Sequence, residues 1–353
     1  MITDIFARRY ENVQLRTQYY SEDRRFMNQA VSLVGNGLWT DAPPSDEIAD
    51  LTEAGLKFVH DVIALELGRD TLSDRWWRST HTWNGNTTTT AHQNTYAQMV
   101  KVFLTKIPED LTNGDAWVKE RLSLIELAYR YRAAQVAFAN QALPKKLAEA
   151  EARDNRPSSG LRVPGSATNA ARYLNQRMND AFASAVNDLN ERMRLAGYKL
   201  HYHNGFIQLS DDELTGSQVS KPFWAIVADP RFANVDLQIK EAIDRRDNRD
   251  RTAAFHAVCA LESCIKIISD LKGWTLGSEK GAANYIDNLV SKSNGRFIEP
   301  WEAVMLKAMF SDVRNPFAHG PGQAAMPNLS SDQTNWAIET SMTWCKSLLR
   351  RFT

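Results

Sequence analysis

Helical periodicity runs through almost the whole chain, and it restricts the possible folds more than any other feature of the sequence. Residues 170–197, "AARYLNQRMNDAFASAVNDLNERMRLAG", read as one long helix closed by Gly197. Ser45, followed by Asp46 and Glu47, opens another, in which Ile48, Leu51, Leu56, Val59 and Ile63 approximate the helical period before Gly68 stops it. Further helices are expected over residues 21–34, Gln93–Ile107 and Asp115–Leu143. After about Phe223 come two helices broken near Asp247–Arg249, a third over residues 278–292, a fourth over residues 298–315, and a last one capped by Ser330 or Ser331 that runs almost to the end. The period changes clearly at one place, "YKLHYHNGFIQL", residues 198–209. There Asn204-Gly205, between two short β-prone runs, signals a tight hairpin because both turn positions need positive φ. The expected class is mainly α: an N-terminal helical region, then a C-terminal helical bundle, with one short β-hairpin near 198–209.

Two stretches read as irregular. Residues 70–90, with "WWRSTHTWNGNTTTT", are polar and rich in Thr, and are expected to be a loop. Its tryptophans, Trp76, Trp77 and Trp83, would either anchor the loop to the core or stack nucleobases. "EARDNRPSSGLRVPGSATN", Glu151–Asn169, mixes Pro, Gly, Ser and charge like a linker or surface loop. A chain of 353 residues has room for two domains. The expected division is a helical regulatory or sensor region over 1–150, a linker, long helix and hairpin over 151–215, and a bundle over 216–353.

Lys plus Arg and Asp plus Glu both number 42, so the chain has no bulk positive field, and a nucleic-acid partner must be held by a local basic patch. Cys259, Cys264 and Cys345 form no Cys-x-x-Cys pair and read as buried small apolar residues. The N-terminal twenty residues carry Asp4, Arg8, Arg9 and Glu11 without an apolar core, unlike a signal peptide, and no run is long enough to cross a bilayer. A cytoplasmic location and no membrane partner are expected. No P-loop, dinucleotide fingerprint, His-Glu-x-x-His or Gly-x-Ser-x-Gly motif is present. His201 and His203 share one hairpin face and could ligate a metal, but they lack an acidic or Cys partner at useful spacing, so solvent-facing residues are the preferred reading. His60 reads as a core-edge histidine.

"SDVRNPFAHGPG", Ser311–Gly322, carries more chemistry. The residue before proline disfavours the α conformation, so the preceding helix should end near Val313 or Arg314. Asn315 would then cap a new short turn, Pro316–His319, with Gly320 releasing the chain. Free backbone N–H groups there would favour an anion, Arg314 would add a bidentate phosphate donor, and His319 would stand one turn on as a titratable group. The alternative is a helix break in which Arg314 pairs with Asp312 or a neighbour.

"RNPFAH" resembles the Arg-x4–6-His signature of the HEPN superfamily, including the polar residue after the arginine. "AFHAVCALESCIKIISDLKGW" resembles the helix of abortive-infection HEPN proteins, with acidic Glu262 and, one turn later, Lys266. The hairpin with the following "DPRFANVDLQIKEAI", and more weakly the opening "DIFARRY", resembles AbiJ-like proteins. The resemblance covers about residues 198–353, with a faint match before that.

Membership of that family implies a HEPN-type bundle and a metal-independent endoribonuclease without cofactor, acting as a homodimer whose two motifs meet in one cleft. It implies Arg314 and His319 as the catalytic pair, Asn315 as the accompanying polar position, Glu262 as the acidic helix position, and Arg314 with Lys266 as substrate-binding residues. The expected activity is that of a toxin effector in antiviral abortive infection, cutting tRNA, mRNA or rRNA to 2′,3′-cyclic phosphate and 5′-OH ends, and controlled by an antitoxin or a phage-derived trigger. The alternative is a catalytically inactive HEPN dimerisation module, or a nucleotide- or partner-binding one, within a defence or toxin–antitoxin complex.

Overall fold

The protein is described by a computed structural model over residues 4–35, 37–39, 46–84, 86–108, 111, 113–155, 165–210, 216–318 and 325–352. It is mainly helical, and it divides into two compact units, Met1–Ile207 and Gln208–Thr353.

The first unit contains α1 (Phe6–Arg9), α2 (Ser21–Gly35), α3 (Asp46–Glu66), the strands β1 (Trp76–Trp83) and β2 (Asn86–Gln93), α4 (Tyr96–Thr105), α5 (Gly114–Asp154) and α6 (Ser166–Leu195). Every residue from Trp117 to Tyr129 except Glu120 is buried, so the first half of α5 is enclosed on all sides. A helix in that position must be apolar all round or must have its charges paired, and α5 uses both solutions. Val118, Leu122, Leu124, Ile125 and Ala128 are fully buried, and α1, α2, α3 and α6 pack around the helix. Glu126 lies among them. One of its carboxylate oxygens accepts from Arg9 and from the Ile207 N–H at 2.6 Å; the other accepts from Arg130 at 2.6 Å. "DIFARRY" therefore has a structural role, because its Arg9 neutralises the Glu126 carboxylate in the buried half of α5.

Two other buried charges are met in the same way. Asp23 accepts from Arg16 Nε at 2.9 Å, from the Tyr20 N–H at 2.8 Å and from the Tyr198 hydroxyl. Arg121 lies between the rings of Phe103 and Trp117, and burial lowers its pKa to about 10. His60 is the expected core-edge histidine. Its Nε2 accepts from the Leu72 N–H at 3.1 Å, so the proton sits on Nδ1, 2.9 Å from Asp61.

Helix α5 continues past the expected Leu143, through Pro144, to Asp154. Beyond the buried segment, Asn140 holds it to α6 through amide hydrogen bonds with Asn175 (2.8 Å) and Asn179 (2.9 and 3.0 Å). Of the expected linker, residues 156–164 lie outside the described residues.

The largest departure from expectation is at residues 76–93, which are a two-stranded antiparallel sheet rather than a loop. Thr80 faces Thr89 and Thr82 faces Thr87, with their hydroxyls 3.4 and 3.1 Å apart. Polar composition concealed a strand pair built on β-branched Thr, whose side chains suit a pleated surface even when it faces water. Asn84-Gly85 is the same dipeptide signal that marks the second hairpin, and Asn84 has φ +47°. That second hairpin, β3 (Leu200–His203) with β4 (Phe206–Leu209), lies where expected, with Asn204 at φ +42° and Gly205 at φ +92°.

The second unit is a bundle of α7 (Lys221–Val227), α8 (Ala233–Asp247), α9 (Ala253–Leu271), α10 (Ala282–Val290), α11 (Pro300–Ala308), a π turn (Met309–Arg314), α12 (Asn315–Ala318) and α13 (Ser331–Phe352). Ser330 is the cap of α13: its hydroxyl accepts from the Gln333 N–H while the Gln333 side chain returns to the Ser330 N–H. Helix α9 is the hub. Ala253, Ala257, Val258, Ala260, Leu261, Cys264, Ile265 and Ile268 are buried, and α8, α10, α13 and the π turn pack on it. The small alanines let α8 and α13 approach closely, and Cys264 and Cys345 act as buried apolar residues in this core.

Candidate active site

The segment Pro300–Ala308 should stop short of Pro316, because a proline ring meets the carbonyl four residues back in a regular α-helix. It does not stop. It widens by one residue into the π turn Met309–Arg314 and continues directly into α12. The Asn315 N–H donates to Phe310 O, five residues back. This overturns the reading of Asn315 as an extended N-cap, since its backbone is right-handed helical at φ −62°, ψ −36°. The longer register takes the carbonyl four residues back out of the ring's way, so the helical path runs on into α12. It also takes up one possible anion donor, because the Asn315 N–H is already satisfied.

The π turn packs against α9 and aims Arg314 along one stripe of that helix. Phe255, Cys259, Glu262 and Lys266 follow each other at helical spacing and form the stripe. Arg314 Nη2 lies 3.1 Å from Glu262 Oε2, and its guanidinium carbon is 5.8 Å from the Phe255 ring centre. Lys266 Nζ takes the other carboxylate oxygen at 2.9 Å and stands 5.6 Å over the Tyr285 ring. Glu262 thus joins the two cations expected to contact substrate. Asn315 Oδ1 accepts weakly from Arg314 Nη1 at 3.4 Å. The alternative pairing of Arg314 with Asp312 is not what forms, because the Asp312 carboxylate accepts from the Ser311 hydroxyl at 2.6 Å.

Burial pushes the Cys259 thiol up, while the neighbouring Arg314 guanidinium pulls it down. The Nε of Arg314 is enclosed and has no hydrogen-bond partner among the described residues. His319 lies outside the described residues. His256, in the first turn of α9, is lowered by its burial and then by Arg245.

The structure therefore brings Arg314, Glu262, Lys266 and Asn315 together. Sequence reasoning overlooked Phe255, Cys259 and Tyr285, although the spacing of the first two from Glu262 could have revealed the stripe. His201 and His203 are side by side with ring centres 6.0 Å apart, and Asn190 stands 3.4 Å from the His201 ring. Among the described residues no group of three His, Cys, Asp or Glu side chains is placed to hold a metal ion, and no helix is long and apolar enough to cross a membrane.

The family described as AbiJ N-terminal domain 4 matches residues 4–225. That stretch ends before α8, so the Arg314 cluster lies beyond it. No curated protein and no solved structure matches the chain.

Proposed function

The chain belongs to the AbiJ N-terminal domain 4 family of abortive-infection proteins, and on that premise we propose that its second unit is a metal-independent endoribonuclease of antiviral defence. The observation that carries this reading is the anchored arginine: Glu262 holds Arg314 at 3.1 Å on a π turn, a helical irregularity often found at functional sites.

The chemistry suits these side chains. RNA carries its own nucleophile. A base removes the 2′-OH proton, the 2′-oxygen bonds to phosphorus, the bond to the 5′-oxygen breaks, and that oxygen takes a proton. The products are a 2′,3′-cyclic phosphate and a 5′-OH. Arg314 stabilises the charge that builds on the phosphoryl oxygens, and Lys266 attracts the flanking phosphate. His319, five residues after Arg314, exchanges protons near neutral pH. Glu262 and Asn315 position the arginine. In a symmetric homodimer two histidines would share one cleft, one as base and one as acid. DNA, without the 2′-OH, would not be cut.

The test compares wild type with His319→Ala and Arg314→Ala on cellular RNA, scoring growth, cleavage and end chemistry. Cleavage by His319→Ala at the wild-type rate would overturn the reading.

A second reading is favoured by the same ion pair. With its guanidinium occupied by Glu262 and set beside Phe255, Arg314 could serve to lock α9 to the π turn of an inactive HEPN module that binds a partner or a nucleotide. A folded dimer that binds such a partner and cuts no RNA would decide for it.

A further inference from the structure

The β1–β2 hairpin is exposed along nearly its whole length, and its tryptophans do not anchor it to a core. Trp76, Trp77 and Trp83 are 58%, 48% and 78% exposed. A lone two-stranded hairpin is marginal in water, and three exposed indoles forgo the burial that would stabilise it. Exposed rings of this kind mark a binding surface.

The register defines the face. Trp77 pairs with His92, Ser79 with Thr90, His81 with Thr88 and Trp83 with Asn86, so these eight residues share one side. Trp77 stacks on His92 with ring centres 4.3 Å apart, and the Ser79 hydroxyl meets His92 Nε2 at 2.7 Å. The face is thus a row of flat rings separated by hydroxyl, imidazole and amide groups. Arg78, on the opposite side, and Arg75, at the foot of β1, are both exposed, and neither forms an ion pair among the described residues. From Arg75 to Pro108 the sequence holds no Asp or Glu, in a chain with 42 of them. A locally cationic surface that presents stacking rings complements a polyanion that carries planar bases.

The geometry points to the Trp77–Trp83 face as a binding platform for single-stranded RNA. Bases stack on Trp77, His81 and Trp83, Arg75 at the foot of β1 meets a phosphate, and the hydroxyl and imidazole row hydrogen-bonds the 2′-OH groups that distinguish RNA from DNA. A duplex, with its bases already stacked inside, does not bind this face. This inference is independent of the cleavage reading, since it concerns binding by the first unit.

The test measures binding of a fluorescein-labelled, unstructured 20-nucleotide RNA to this chain by anisotropy, in a His319→Ala background so that turnover cannot intervene. Trp77→Ala with Trp83→Ala is expected to weaken binding by about tenfold or more. Trp77→Phe with Trp83→Phe, which keeps flat rings, is expected to retain it, and circular dichroism checks that both variants fold. Arg75→Ala should make the slope of log affinity against log salt shallower by about 0.7. DNA of the same sequence and the RNA duplex should bind more weakly. Undiminished binding by the folded double-alanine variant, or no RNA binding by the parent, overturns the platform. Equal affinity for DNA overturns the assignment to RNA. Loss of cleavage elsewhere in the molecule changes none of these readouts.

Discussion

Glu262 holds two cations at once: Arg314 Nη2 at 3.1 Å on one carboxylate oxygen and Lys266 Nζ at 2.9 Å on the other. The carboxylate keeps both from the free rotation that long side chains have at a surface, and it fixes the direction of the guanidinium. Glu262→Gln keeps the shape and removes the charge. Thermal unfolding should show a loss of about 1 kcal/mol or less, since Lys266 is only half-buried and water screens the pair. RNA cleavage by the same variant should fall mainly in kcat, because the arginine is misaimed rather than absent. Unchanged kcat would separate Glu262 from the chemistry.

Pro316 requires the π turn, and the π turn sets the face on which Arg314 emerges. In Pro316→Ala the segment can return to regular α register, which rotates Arg314 by about 100° about the helix axis. The folded protein should lose the Arg314–Glu262 contact, and cleavage should fall by about a hundredfold. A structure of the variant in which the 3.1 Å contact persists would contradict this account.

Buried charge in the first unit makes a sharper stability prediction. Removing the carboxylate with Glu126→Ala leaves Arg9 and Arg130 facing each other in an enclosed site, and strips the Ile207 N–H of its acceptor. The expected loss is about 3 kcal/mol or more, measured by chemical denaturation. Arg69→Ala, which removes only a partly exposed ion pair with Glu120 of the same helix, should cost about 1 kcal/mol or less.

In the second unit, Glu302 caps α11 and pairs with Arg351 of α13 at 2.7 and 3.1 Å, and this pairing holds its carboxyl below the ordinary glutamate value. A depressed folded-state pKa adds stability that is complete above the unfolded-state pKa and disappears as pH falls through the folded one. Wild type should therefore lose stability below about pH 4.3, whereas Arg351→Met, already weaker by about 1 kcal/mol at neutral pH, should lose less on acidification. Parallel pH profiles for the two proteins would refute the linkage.

The Asn204-Gly205 hairpin, the break at Asp247–Arg249, the Ser330 cap and the helices of the bundle were legible because each rests on residues within a few positions of one another. The first hairpin was legible too, but the polarity of its Thr run outweighed the Asn84-Gly85 signal. Arg314, Glu262 and Lys266 could be named from sequence. Their shared carboxylate could not, because it joins two helices far apart in the chain.

Sequence by itself determined that this is a mainly helical chain and where its second hairpin turns. These follow from local periodicity and from the dihedral preferences of Asn and Gly. Tertiary structure alone decided that the chain reaches Pro316 through a π turn, that Arg314 lies on the Phe255–Glu262 stripe, that Arg9 neutralises Glu126, and that Trp77 and Trp83 face solvent. Each depends on which distant surfaces meet and exclude water, and no local pattern encodes that.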